Sequence, residues 1–541
     1  MINLGLAPSQ AFWSLLAGSF VLTYLFARQM SSTWLPDIFT TKPLLSCFLT
    51  ALLITCTDRF IIWPFFRSPL RKFPTSNNGF NLLALGLESP RGKTATKLIQ
   101  RFPDADIIHI RSILGFTAVI PVTPEGFHDL MGQAAYSVQK PKGLRESLAP
   151  VLGWGLIVSE GDEHKRQRKA LTPAFSLANI RGLYALMWSK CEEFSAHVKR
   201  EADSNGFVEI GAWASKLTLD IIGHAALSQD FKTMSEPDSQ LLKSFRYILE
   251  TDSTRVRLFV LSFVLPQWLL RQLPLEYVKL SIYHCRVLRE RCEDMLAQKK
   301  KAIQASKHME ETDMLRDVIA SGAFKDSEVV DQMMTFLAAG HETTASALSW
   351  CCYLLATNPH AQSKLFQELQ AKMPAEAEQI DYRTFEQLPY LNGVCEEVLR
   401  LFPTVPVTVR EVTSEMVMCG VVVPRETTIL IVPYAVNRNP KFWGADAAEF
   451  KPERWIDTAA DGVQRSNKHG GSDNNLCGMT FLHGNRSCIG RDFAKAELKC
   501  AVASLFSKYE VSMSKPKEEV KIVGTVTTKS NVGIKVRLQS R

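Results

Sequence analysis

The chain has 541 residues, 46% hydrophobic and 22% charged, which is ample for a large core and excludes disordered, collagen-like and disulfide-scaffold classes. Lys and Arg (63) exceed Asp and Glu (55) by 8, but the basic residues are spread along the chain; this argues against a nucleic-acid partner and leaves open a basic face for an acidic protein or a membrane. Twelve cysteines without short regular spacing, the adjacent Cys351 and Cys352 apart, point to reduced thiols on the cytosolic side of a membrane.

No charge precedes Arg28, and the apolar stretch Leu6–Ala27 is long enough for a hydrocarbon core of roughly 30 Å. Residues 1–27 therefore read as a transmembrane anchor. A cleaved leader would need a basic start and a small-residue cleavage pattern, and neither is present. The uncharged run Pro43–Thr57 is shorter and fits a second span, a re-entrant piece or an apolar collar lying on the bilayer. Residues 28–77 form this second apolar segment and a Pro-punctuated basic linker. Arg67, Arg71 and Lys72 in it place the following domain, residues 78–541, on the cytoplasmic side.

Beyond the linker, apolar periodicity predicts helices over 176–204, 237–305, 326–357, 360–373 and 389–401. Alternating β-branched residues predict strands over 416–423 and 427–436, either side of Pro424-Arg425-Glu426, and over 509–514, 519–528 and 531–538. There is no internal repeat, GxGxxG fingerprint or phosphate loop. The expected class is mainly α with small β-sheets.

Four clusters carry chemistry. In Gly161-Asp162-Glu163-His164-Lys165-Arg166-Gln167-Arg168, His164 and Arg168 share a helix face four residues apart. Lys165 and Arg166 point elsewhere and suit a basic docking face. The 326–357 helix is expected to be capped by Asp326 or Ser327 and stopped by Asn358-Pro359. Its run Ala339-Gly340-His341-Glu342-Thr343-Thr344 puts poor helix formers in mid-helix, costing about 1 kcal/mol for Gly and ~0.5 for each Thr, which argues for function. A small residue beside a hydroxyl that bonds its own helix's carbonyls opens a local groove. In 389–401, Glu397 and Arg400 lie three residues apart and can pair with each other and with Arg454 of Pro452-Glu453-Arg454-Trp455. Finally, Phe481-Leu482-His483-Gly484-Asn485-Arg486-Ser487-Cys488-Ile489-Gly490 fits F-x-x-G-x-R-x-C-x-G at five positions, expected by chance on the order of 10⁻⁴ times per chain. A zinc site from His469, Cys477, His483 and Cys488 lacks the close cysteine pair of structural zinc.

On these residues the chain resembles the cytochrome P-450 family of haem-thiolate monooxygenases, over nearly everything after the anchor. The resemblance implies the cytochrome P-450 fold, a helical haem domain plus a β-rich subdomain. It implies heme b (iron protoporphyrin IX) with Cys488 as axial thiolate. Phe481 would shield the sulfur, and Gly484 and Gly490 would let the backbone approach a flat macrocycle. Arg486, Arg168, Arg410 and His164 would face the propionates, His164 standing where the family usually has an aromatic residue. Glu342 becomes the proton source and Thr343 the hydroxyl that relays the proton. Glu397, Arg400 and Arg454 become a structural lock.

The activity implied is insertion of one oxygen atom from O₂ into a lipophilic small molecule, by hydroxylation or epoxidation, as in membrane-anchored fungal members of secondary metabolism. Electrons would come from NADPH through a separate reductase, with cytochrome b5 as a second candidate donor, because the chain has no flavin or nicotinamide motif. The expected location is the endoplasmic reticulum membrane, with the catalytic domain cytosolic. By similarity, substrate contacts fall around 110–150, 240–285, Phe336–Ala339, Val405–Val407 and the Gly524–Thr528 turn. Two other readings stay open: a haem-thiolate isomerase or dehydratase acting on peroxides, against which the Glu342–Thr343 pair speaks, and a non-catalytic haem sensor, which needs no proton relay.

Overall fold

The computed structural model describes Leu53, Ile54 and residues 57–541, apart from 77–80, 112–116, 237–239, parts of 250–274, 306–312, 375 and 525. The expected anchor at 1–27 and nearly all of the 43–57 run lie outside the described residues. Among the described residues no helix is long and apolar enough to cross a membrane. The chain divides into two units.

The smaller unit takes in the chain up to Ala84, Gln100–Val138 and Val409–Ile431. Strand Ile107–Arg111 pairs antiparallel with Thr117–Pro121, which pairs parallel with Thr428–Ile431. Ile107, Ile108, Ile110, Val119 and Ile120 are all fully buried, so neighbouring residues on both faces are covered and the run is continuously apolar. The predicted 416–423 strand is instead a hairpin, Met416–Met418 against Val421–Val423. Its turn is Cys419-Gly420, both at positive φ (48° and 71°), the geometry that joins two strands with matched twist. The 427–436 strand ends at Ile431, and Pro433–Val436 is a helical turn that proline opens.

The larger unit comprises Leu85–Ile99, Gln139–Thr408 and Val432–Arg541 and holds the long central helix Asp326–Thr357. It begins and ends where expected, but the cap is Lys325 in place of Asp326 or Ser327, and Glu328 Oε2 accepts the Lys325 N–H at 2.7 Å. Asn358 ends it, and Pro359 opens the next helix, Pro359–Lys372. The 176–204 prediction breaks at Leu183 into Leu177–Gly182 and Tyr184–Asn205. Within 237–305 the described helices are Gln240–Leu249 and Glu276–Ala305. Helix Ile210–Leu227 packs along the central helix and is buried on nearly every side, so it has no amphipathic stripe for a periodicity reading to find.

This packing also corrects the reading of Gly340. A Cβ there would lie 2.9 Å from Ile222 Cγ1, so close approach of the two helices already requires a residue without a side chain. At the C-terminus, Lys535–Ser540 pairs with both Tyr509–Met513 and Val208–Glu209. The 519–528 prediction reduces to Ile522–Val523, which returns as Lys529–Ser530. Gly524 sits at φ +129°, where a Cβ would fall 1.8 Å from Thr527 O, so the turn is too tight for a longer strand.

Helix Pro389–Leu401 meets the Pro452–Trp455 segment at Gly393, whose Cβ would lie 2.6 Å from Pro452 O. A backbone carbonyl cannot yield as a side-chain tip can. Gly393→Ala should therefore be net destabilising by about 1–3 kcal/mol despite its better helix propensity. Gly478→Ala, which meets only Asn475 O at 3.8 Å, should be near neutral; urea unfolding of both variants checks the contrast.

Candidate functional site

The cysteine loop is built from backbone bonds. Leu482 (φ 53°) and Gly484 (φ 66°) both adopt left-handed conformations, which glycine takes without strain and leucine does not. Ser487 N–H donates to Gly484 O at 3.1 Å, and Cys488 N–H to Phe481 O at 2.9 Å, closing the loop just before helix Arg491–Phe506. Of the ten described cysteines Cys488 alone is exposed, although protein encloses it closely; surface of that kind faces an internal space. Burial pushes its thiol up, while the Gly490 N–H, Arg168 and Arg491 favour the thiolate. A Cβ on Gly490 would meet only Phe175 Cε1, at 3.8 Å, so protein packing does not demand glycine there. Phe481 is half-buried, with Lys495 Nζ 5.6 Å from its ring centre.

Behind the loop, the predicted lock is assembled. Arg400 grips Glu397 with two bonds of 2.7 Å, Nε to Oε2 and Nη2 to Oε1. Arg454 Nε reaches Oε1 at 2.8 Å, Trp455 Nε1 reaches Oε2 at 2.9 Å, and Lys451 N–H reaches Oε1 at 3.0 Å. Arg400 Nη1 donates to the carbonyls of Asn437 (2.7 Å) and Ala447 (2.6 Å). Both charges are buried and richly bonded, the condition under which a buried pair persists.

Asn437, fully buried and not singled out by any motif, carries this order onward. Its Nδ2 donates to Arg400 O at 3.1 Å and to Thr480 Oγ1 at 2.9 Å, and its Oδ1 accepts Met479 N–H at 2.9 Å. Thr480 Oγ1 in turn donates to Leu399 O at 2.7 Å. Residues 479 and 480, which enter the cysteine loop, are thus hung from the end of the Glu397 helix. His483, held neutral at neutral pH chiefly by burial, bonds Gly478 O at 2.9 Å.

The basic residues divide. Arg168, on helix Gly161–Leu171, donates to Ser487 O at 2.5 Å and Ser487 Oγ at 3.3 Å, directly beside Cys488. His164 lies one turn earlier and is buried, so an exposed polar role is excluded. Arg486 forms a buried ion pair with Glu160 and donates to Ser159 O at 3.3 Å. Glu160 also accepts Lys140 N–H at 3.0 Å. Arg410, in the smaller unit, is buried on strand Thr408–Val412 and donates to Val409 O at 2.8 Å. The expected basic docking face is largely neutralised: Lys165 pairs with Asp162 at 2.7 Å, and Arg166 with Glu163 at 2.6 Å and with Glu328.

On the central helix, Ala339, Gly340 and Thr343 are only half-buried while most of the residues around them are buried. Ala339 and Thr343, four residues apart, form the open strip of this stretch, while Gly340 lies against Ile222. Phe336, one turn earlier, packs edge-on against Phe175 at 5.4 Å, the ring that also approaches Gly490. Cysteine turn and helix strip therefore share a neighbour. Thr343 Oγ1 donates to Ala339 O at 2.7 Å. The Glu342 carboxylate is buried and bonded to Lys529 Nζ at 2.6 Å and Thr527 Oγ1 at 3.2 Å. His341 points to helix Ile210–Leu227, bonding Ser215 Oγ at 2.7 Å, and burial pushes it down to about 4, so it is neutral near pH 7. Glu497, fully buried on helix Arg491–Phe506, is pushed well above the carboxylate range by burial, with the Thr344 hydroxyl opposing.

This donor set fits a haem: a soft sulfur ligand facing open space, an N–H donor at a helix start, and a guanidinium beside it. The zinc alternative is not assembled. Among the described residues the only group of three or more ligand-type side chains within reach of one another is Glu125, Asp129 and Cys419. Cys419 does not fit a haem thiolate, because two carboxylates stand beside it and burial pushes its thiol to about 11.

The family model for Cytochrome P450 matches residues 108–536. The chain is 33% identical over 534 residues to the cytochrome P450 monooxygenase FUM15 of Gibberella moniliformis, covering 88% of this chain and 90% of that protein. It is 34% identical over 492 residues to the cytochrome P450 monooxygenase sphH of Aspergillus fumigatus, covering 88% and 89%. With the cytochrome P450 monooxygenase ptmK of Penicillium ochrochloron it shares 30% over 492 residues, covering 89% and 96%.

Asn437→Ala would leave the Met479 N–H and the Arg400 carbonyl without their buried partner. It should cost about 1–3 kcal/mol and lower the prosthetic-group content of the purified chain, read from the porphyrin-to-protein absorbance ratio. A parental ratio at parental stability would show that the cysteine loop is held without it.

Proposed function

The chain belongs to the cytochrome P450 family, and from that membership we propose that Cys488 holds its haem and that Glu342 and Thr343 deliver the protons of its reaction. Like the family, it is a haem-thiolate monooxygenase. The bound haem supplies the centre at which dioxygen is split, one atom entering the substrate and the other leaving as water, with the cysteinate favouring O–O cleavage.

The single observation that carries the site assignment is Cys488: the one exposed cysteine among the described residues, in a loop closed by its own backbone, beside Arg168 and the Gly490 N–H. Arg168 and His164 stand one helical turn apart and are suited to the propionates. Arg486, engaged by Glu160, joins them by exchanging that partner for a propionate, and Arg410 is proposed for the same set. Thr343, on the open strip, presents a hydroxyl that accepts a proton on one side and passes its own on the other. The neighbouring carboxyl of Glu342 is the group that supplies it, since His341 is neutral and faces away.

The substrate proposed is a lipophilic small molecule of secondary metabolism, hydroxylated or epoxidised. Electrons are proposed to come from NADPH through a separate reductase, with cytochrome b5 as an auxiliary donor. Anchoring in the endoplasmic reticulum membrane through residues 1–27, with the catalytic domain cytosolic, is supported by the apolar run Leu6–Ala27 and by outward-facing Leu53, Ile54, Phe65 and Phe66 where the described chain begins. A peroxide isomerase or a haem sensor is not favoured, because the relatives reported above are monooxygenases by name.

Microsomes containing the chain and a reductase, given NADPH, lipophilic candidates and isotopically labelled dioxygen, should yield product with one labelled oxygen. Thr343→Ala should keep its haem yet lose at least about tenfold in product per NADPH, the electrons leaving as hydrogen peroxide. An undiminished yield would refute the relay.

A further inference from the structure

Glu160 stands where an acidic side chain normally serves its own helix. It is the N-cap of helix Gly161–Leu171, yet its carboxylate accepts no N–H of that helix. It turns away instead: Oε1 accepts Lys140 N–H at 3.0 Å and lies 3.5 Å from Lys140 Nζ, while Oε2 pairs with Nη2 of Arg486, two residues before Cys488. The carboxylate is thus divided between two cations, one oxygen to each. The three side chains are at most 13% exposed, so their charges depend on one another more than on water.

As a fastener of the cysteine loop this carboxylate is redundant. Arg168 holds Ser487 O, Cys488 N–H holds Phe481 O, and Asn437 holds Met479 N–H. Arg486 itself donates through Nη1 to Ser159 O at 3.3 Å, a bond that needs nothing from Glu160. What Glu160 adds is negative charge at the guanidinium read above as a propionate ligand, and two carboxylates that need the same guanidinium face compete for it.

We propose that Glu160 and Lys140 are positioning residues for the haem: Glu160 competes with a propionate for Arg486, and Lys140 keeps Glu160 paired when the propionate takes that guanidinium, so that the two residues together set how firmly the haem is held. The inference rests on the reading of Arg486 as a propionate ligand. The exchange strands no charge, because Oε1 already faces Lys140 and Arg486 keeps its bond to Ser159 O. It also leaves the cysteine loop in place, since the loop's other bonds do not pass through Glu160. A carboxylate that merely fastened the loop would strengthen haem binding; one that competes for Arg486 weakens it, and the two roles differ in sign.

The test uses the purified full-length holoenzyme and four variants: Glu160→Gln, Lys140→Met, the Glu160→Gln/Lys140→Met double and Arg486→Lys. Haem loss is followed as transfer to excess apomyoglobin, and the propionate bending band is read by resonance Raman spectroscopy of the loaded chains. Glu160→Gln should slow haem loss at least threefold and move the band toward stronger propionate hydrogen bonding. Lys140→Met, which leaves Arg486 as the one cation of the three beside Glu160, should speed haem loss at least threefold, and in the Glu160→Gln background it should have no further effect. Arg486→Lys should speed haem loss and move the band the other way. Haem loss at the parental rate or faster in Glu160→Gln, or recovery of that variant without haem, would overturn the proposal. So would an equal effect of Lys140→Met with and without Glu160. An unmoved propionate band in Arg486→Lys would overturn the propionate reading of Arg486, and the competition with it. A band that moves there, with parental haem loss in Glu160→Gln, would overturn the competition alone.

Discussion

The carboxylate of Glu397 is the constraint on which the rest of the site depends. It is a fully buried negative charge, and it is tolerated because two guanidiniums, an indole N–H and a backbone N–H converge on its two oxygens. Removing one partner of such a pair typically costs about 3–5 kcal/mol, because the other is left charged and dry. The same guanidinium, Arg400, is bonded to three backbone carbonyls from the segment 437–449. One ion pair therefore positions the end of its own helix and the irregular chain leading to the cysteine loop. Irregular backbone has no ladder of its own, so buried side chains must supply its hydrogen bonds.

From there, order passes through Asn437 to Met479 and Thr480, and so to a loop whose left-handed residues and closing N–H contacts aim Cys488 into an internal space. The sulfur sits between opposing influences. Burial disfavours its charge; the Gly490 N–H, Arg168 and Arg491 favour it. A cation bound at the sulfur would tip that balance to the thiolate. On the central helix the half-buried Ala339 and Thr343 follow Phe336, whose ring packs against Phe175, the ring that also approaches Gly490 beside the cysteine loop.

Much of this was legible in the sequence, for definite reasons. The 389–401 helix was found to the residue and the 326–357 helix in extent, because a proline opens the first and Asn358-Pro359 stops the second. The Glu397, Arg400 and Arg454 association follows from three-residue spacing and charge. What escaped depends on contacts distant in sequence. Ile210–Leu227 is buried on nearly every side but for a narrow stripe at Lys216 and His224, and the hairpin at Cys419-Gly420 is hidden in an apolar run without a strong turn signal. Gly340 invited a chemical explanation when helix packing against Ile222 suffices. Asn437, Glu160 and Lys529 belong to no motif and become visible only through contacts with Arg400, Arg486 and Glu342, all distant in the chain. For Glu160 and Lys529 the partners, Arg486 and Glu342, are themselves motif residues.

The central claim is that Cys488, and not the other ligand-bearing cysteine at 419, binds the haem iron. Its most direct test is the carbon monoxide difference spectrum of the reduced, purified full-length chain alongside Cys488→Ser and Cys419→Ser, each produced with ample porphyrin. The account predicts the thiolate-haem band in the parent and in Cys419→Ser and its loss in Cys488→Ser. An unaltered band in Cys488→Ser, or its loss only in Cys419→Ser, would contradict the account.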